Sequence, residues 1–210
     1  MLQATIDQIV SDPSLHAKWL NTLSYMENCG ARKISKCEHP TRTNLMVLKH
    51  AAEEHRHAYY LKKMIDRVQE GACETYEVEE LLAGHTSRHY LHRLDIFASK
   101  YLQKTLQLSG EELKYVAYLY VTYAIEVRAD DLYPVYHEVL KKHDSPVSVW
   151  NIIKEEEGHL EEMISSLEKF DANWEVHAKV IRAYEEEVFQ AWMRVVEDCV
   201  AKEGKVTASV

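Results

Sequence analysis

Glycine and proline are scarce in this chain, at six and four of its 210 residues. Both interrupt helices, so their scarcity leaves room for long unbroken ones. No stretch shows sustained two-residue alternation of apolar and polar side chains bounded by turn residues, which argues against a sheet-based core. The expected fold class is therefore all-α. The chain also lacks any apolar run of about 18 residues, so no segment is expected to span a membrane. The opening MLQATIDQIVSDPSLH has no basic stretch followed by an apolar one, so no secretory signal is expected. The four cysteines (Cys29, Cys37, Cys73, Cys199) show no Cys-x-x-Cys pairing, and reduced thiols in a cytoplasmic protein are the expected state. The net charge of −9 disfavours a nucleic-acid partner, because phosphate contact needs clustered Lys and Arg.

What is present is apolar substance and helical periodicity. A hydrophobic content of 46% can fill a sizeable core. One domain is expected over residues 1–204, with 205–210 as a frayed tail. The first helix should run from about Ser14 into the low thirties, with Leu20, Leu23 and Met26 beside Glu27. Pro40 breaks the chain. Thr43 or Asn44 can cap a second helix reaching about Gln69, whose inner face reads Val47, Ala51, Glu54, Ala58, Leu61 and Ile65. A crossover follows, with a helix over 84–107 striped by Leu91, Leu94, Ala98, Tyr101 and Leu102. Ser109-Gly-Glu-Glu112 reads as a capping box for the next helix, which carries Val116, Leu119, Tyr123, Glu126 and Ala129 on one face. Pro134 is expected to kink or end it. Ser145-Pro146 reads as the start of a helix presenting Val149, Ile152, Ile153, Glu156, His159, Leu160 and Met163. A last helix should run from Asn173 to about Lys202. Its stripe (Trp174, His177, Ile181, Tyr184, Val188, Trp192, Val195, Cys199) is expected to pack on the bundle, with a homodimer seam as the alternative.

Two Glu-x-x-His motifs stand out, Glu54/His57 and Glu156/His159, each following a lone Glu. The separations, Glu27 to Glu54 and Glu126 to Glu156, are 27 and 30 residues. Residues i and i+3 of a helix share a face, so each Glu and His can point at one spot. Four carboxylates and two imidazoles are the ligand set of a two-metal site in a helical bundle. Two divalent ions about 3.5–4 Å apart would balance four buried carboxylates, which otherwise cost several kcal/mol each or take up protons. A chain rich in Glu and His holds such motifs by chance, so their number decides nothing. The weight falls on position. Each of the four Glu lies within an apolar stripe, and each motif has its lone Glu at nearly the same distance.

On Glu27, the run Glu53-Glu-His-Arg-His57, Glu126 and the run Glu155-Glu-Glu-Gly-His159, the sequence resembles the ferritin-like diiron-carboxylate superfamily over roughly residues 14–170. The resemblance implies a ferritin-like four-helix bundle, here with a long crossover holding an extra helix and an additional C-terminal helix. It implies that Glu54 and Glu156 bridge two Fe ions, with Mn or a mixed Mn/Fe pair as variants. Glu27 and Glu126 would bind terminally, with one iron each for His57 and His159.

Histidine ligands usually donate their second N–H to an outer carboxylate or carbonyl. Asp130 is the expected partner of this kind, and Tyr123 could bond a ligand or simply pack. His50 is expected to be a satisfied core histidine, not a third imidazole. His85, His89 and His92 share a helical face and could hold Zn or Ni, although a polar face is the plainer reading. Ribonucleotide-reductase radical subunits of this superfamily carry their radical tyrosine one turn past the first motif; here that position is Leu61. The expected function is a non-haem diiron oxidase or oxygenase that takes O2 as co-substrate and oxidises a small organic molecule, with an external electron donor. The alternative is a bacterioferritin-like ferroxidase. A metal-free helical interaction module is a third reading, under which the four Glu would sit on the surface.

Overall fold

The computed structural model describes residues 2–207, and side chains over residues 2–203. Among the described residues all regular structure is helical: α1 (Leu2–Ser11), α2 (Pro13–Ser35), α3 (Leu45–Val68), a single 3₁₀ turn (Val78–Glu80), α4 (Gly84–Leu106), α5 (Gly110–Lys142), α6 (Trp150–Phe170) and α7 (Trp174–Thr207). No described helix is long and apolar enough to cross a membrane. Of the tail expected to fray over 205–210, residues 208–210 lie outside the described residues.

Local chemistry explains several boundaries. Asp12 caps α2, its carboxylate accepting from the Ser14 and Leu15 amides at 2.8 and 3.1 Å, and Pro13 follows at the first helical position. Asn44 caps α3 in the same way. Two expectations are corrected and one is narrowed. Ser109 stands at the head of α5 but makes no side-chain cap, so the capping box does not form. Gly110 enters with a φ of +57°, a turn that does not set the Ser109 hydroxyl over the first amides. Of the two outcomes expected at Pro134, a kink or an end, the end is excluded, because α5 continues to Lys142. Proline removes one helical bond, to the carbonyl four residues back, and Asp130 at that place is exposed to water. Finally, α6 starts at Trp150, not at Ser145-Pro146. Val147 and Val149 are buried while Ser148 between them is exposed, so core contacts on alternate residues hold the segment before the helix begins.

Helix α1 was not expected from the sequence. Its ten residues bury Ile6, Ile9 and Val10 against α2, α5 and α7. A helix this short is marginal alone and is held by packing.

Helix α2 packs chiefly on α3, and α5 chiefly on α6, giving two hairpins. The hairpins face each other. Pairs Lys49–Glu162, His159–Glu53 and Arg56–Glu155 join α3 to α6 in antiparallel order. Glu27–Tyr133 and His16–Tyr136 do the same for α2 and α5, and Cys37, just past the end of α2, bonds the Lys114 carbonyl. The crossover is tied to α2: Asn21 donates to the carbonyls of Thr75 and Glu80, and Ser24 bonds the Tyr76 hydroxyl. Helix α4 lies against α5 and α7. The aromatic stripe of α7 packs inward, with Trp192 stacked on Trp19 at 5.7 Å between ring centroids. Arg128 of α5 bonds Glu185 and Glu186 of α7, and the Tyr90 hydroxyl of α4 donates to Glu185.

The core is divided along the helix axes. One apolar cluster contains Leu20, Leu61, Tyr136 and Ile152; the other contains Ile34, Val47, Leu119 and Met163. Each of α2, α3, α5 and α6 contributes to both. Glu27, Glu54, His57, Glu126, Glu156 and His159 fall between those contributions, as a polar layer closed above and below by apolar side chains.

Candidate metal centre

The polar layer brings the six side chains together in two overlapping groups. Glu27, Glu54, His57 and Glu156 form one, and Glu54, Glu126, Glu156 and His159 the other. Within each group one donor atom per residue lies within 4.8 Å of the rest. Glu54 and Glu156 belong to both. All are buried except Glu27, which is partly so.

The imidazoles show how the layer is organised. His57 places Nε2 at 2.7 Å from Glu155, and His159 places Nε2 at 2.7 Å from Glu53. Each motif therefore supplies, one residue before its buried Glu, the carboxylate that holds the other motif's histidine. An acceptor at Nε2 keeps a proton there and leaves Nδ1 facing the buried carboxylates. For His57, Nδ1 lies 2.9 Å from Glu156 Oε1, yet it is buried without a properly aligned hydrogen bond. For His159, Nδ1 lies 3.0 Å from Glu156, 3.5 Å from Glu126 and 3.6 Å from Glu54. Two nitrogens and several carboxylate oxygens thus converge on a dry region, a donor set that fits a hard or borderline cation.

The electrostatics mark the same need. Burial, reinforced by Glu156, holds the Glu54 carboxyl well above its ordinary range. Burial and Glu156 do the same for Glu126. Glu156 itself is opposed by burial but held low by the close imidazoles of His159 and His57. Burial would depress both imidazoles. Glu156 and its neighbours overcome it and push His57 up to about 9, and Glu126 with Glu156 push His159 up to about 11. Without a cation the layer keeps itself tolerable by holding protons, and a metal would replace them.

The structure places the remaining candidates as follows. Asp130 is exposed, and the carboxylates that bond the two imidazoles are Glu53 and Glu155. Tyr123 packs edge-on to Trp174 at 5.4 Å and bonds no residue of the layer. The tyrosine that reaches it is Tyr133, whose hydroxyl donates to Glu27. His50 is fully buried with both nitrogens partnered, Nδ1 to the Tyr118 hydroxyl at 2.9 Å and Nε2 to Glu162 at 2.7 Å. His85, His89 and His92 are exposed and form no metal-holding group among the described residues. The repeated Glu-Glu-x-x-His was the signal that could have found Glu53 and Glu155.

Compared with known proteins, the chain matches no family model, no curated protein and no solved structure.

Removing either outer carboxylate frees an imidazole to turn. Glu53→Gln and Glu155→Gln are each expected to weaken metal binding by about 10–100-fold. Glu162→Gln, which touches His50 instead, should change it little. Competition against a chelator of known affinity measures all three.

Proposed function

We propose that the chain is a ferritin-like dimetal-carboxylate protein and that it uses O2 to oxidise a small organic molecule. The two hairpins, the long crossover and the shared Glu54 and Glu156 support the first part. A single observation carries the second: a cavity of about 560 Å³, chiefly between α2, α4 and α5, opens onto Glu27, Glu54, Glu126 and Glu156. A pocket of that size suits a small substrate.

Glu54 and Glu156 would bridge the ions, Glu27 with His57 would complete one and Glu126 with His159 the other. When bound, two iron ions, or manganese in one or both places, supply the electrons that reduce O2 and the power to oxidise a nearby carbon or nitrogen. The rest falls to the chain. Glu53 and Glu155 fix the imidazoles, and the Tyr133 hydroxyl holds Glu27 where the cavity meets the layer. The two apolar clusters keep bulk water out, so oxidising equivalents reach what the cavity admits. An external donor would restore the reduced state.

Two measurements on iron-loaded protein test this reading. A small oligomer with about two irons per chain is expected, whose O2 consumption rises when its substrate is added from a compound collection. A large cage that accumulates iron far beyond that ratio would point to ferroxidase work instead.

A further inference from the structure

The cavity carries more information than its size. Its wall is apolar over most of its length, with Leu23, Met26, Ile34, Val121, Ile125 and Leu132. The large polar groups along the wall are already engaged: Tyr90 and Arg128 bond Glu185, Tyr118 bonds His50, and Tyr133 bonds Glu27. The hydroxyls of Ser99 and Thr122 are the small polar groups that remain on the wall. Among the lining residues only Lys36, His92 and Lys114 are exposed, and they mark the mouth. Lys33 lies beside them, bonded to Asp95 at 2.6 Å, and Lys114 bonds Glu111 at 2.6 Å. Lys36 has no carboxylate partner among the described residues. Three amines against two carboxylates leave an excess of about one positive charge among these groups at the mouth.

Resting on the oxidase reading above, we propose that the substrate is an apolar chain or compact apolar body ending in one carboxylate. The carboxylate sits at Lys33, Lys36 and Lys114, and the apolar part runs inward to the layer. In the opposite orientation the carboxylate would leave the three amines and meet groups that are already partnered, Glu27 with the Tyr133 hydroxyl and Glu126 with His159. A phosphate, which carries nearly two charges at neutral pH, exceeds the single excess charge of the mouth. Lys33 and Lys36 follow Glu27 by six and nine residues, or about 9 and 13 Å along α2. The carbon presented to the layer is therefore remote from the carboxylate.

The test is binding, measured by calorimetry on the metal-loaded protein, with the metal content of the same sample determined. Octanoate, octanol and octylamine are the probes, and octyl phosphate is the dianionic comparison. Octanoate is expected to bind tightest. Lys36→Glu/Lys114→Glu, at two exposed positions, should weaken octanoate by roughly fivefold to tenfold and leave octanol unchanged, octanol serving as the control for an intact cavity. Octylamine or octyl phosphate binding as tightly as octanoate, or equal loss of octanoate and octanol in the variant, would overturn the assignment. So would failure of all the probes to bind. Carboxylate preference in a protein that holds no metal would instead remove the oxidase reading and leave the ligand class standing.

Discussion

Stripping metal from the protein is expected to lower its melting temperature at pH 8 by roughly 10 °C or more. A ligand present at a thousand times its dissociation constant contributes about 4 kcal/mol, and for a chain of this size each kcal/mol moves the midpoint by about 2–4 °C. The metal-free protein should then show an unusual pH response. Glu54, Glu126, His57 and His159 all hold protons more tightly folded than unfolded. Groups of that kind contribute stability below their unfolded values and lose it as pH rises through the folded ones. The melting temperature should therefore climb as pH falls from 8 to about 6.5, the ordinary histidine value.

Below that point the climb should flatten. Burial pulls His16 down to about 4, and burial with His159 pulls His50 down, so both oppose folding once unfolded histidine is charged. Below about 4.5 stability should fall, because Glu155, Glu156 and Glu162 must then be protonated against their partners. One net proton is worth about 1.4 kcal/mol per pH unit, or roughly 3–6 °C here. Scanning calorimetry from pH 8 to 4, with and without metal, reads the whole curve. A metal-free protein whose stability is flat from pH 8 to 6.5 would show that the layer is not under the strain described.

The second large effect comes from replacing the strained carboxyls by amides. Glu54→Gln/Glu126→Gln should raise the melting temperature of metal-free protein at pH 8 by several degrees, since two buried groups no longer have to be kept protonated. The same variant should lose nearly all of the metal-induced stabilisation. Few substitutions stabilise one form of a protein and disable the other. A residue that merely packs does not do so. Thermal melts of both forms, run side by side, decide it; equal shifts in the two forms would count against a metal-dependent role.

Much of this was legible in the chain because burial leaves a periodic mark. Glu54 stands in the stripe Val47, Ala51, Ala58, Leu61, and a carboxylate at such a place needs company, so the meeting of six side chains followed from spacing. The outer partners were harder. Glu53 and Glu155 reach across from the opposite hairpin, and sequence position says which face a residue occupies but not which helix covers it. Pro134 was legible as a break in the helical ladder, but not that α5 runs through it to Lys142. The start of α6 was misplaced because Val147 and Val149 are anchored by core contacts that a local helix signal cannot register. The cavity was invisible for the same reason, being shaped by side chains from six helices at once.

Elemental analysis of desalted protein, loaded anaerobically with Fe(II), tests the central claim most directly. About two metal ions per chain are expected in the native sequence and fewer than one in Glu54→Gln/Glu126→Gln. A native protein that retains no metal, or a variant that retains as much as the native, would contradict the account.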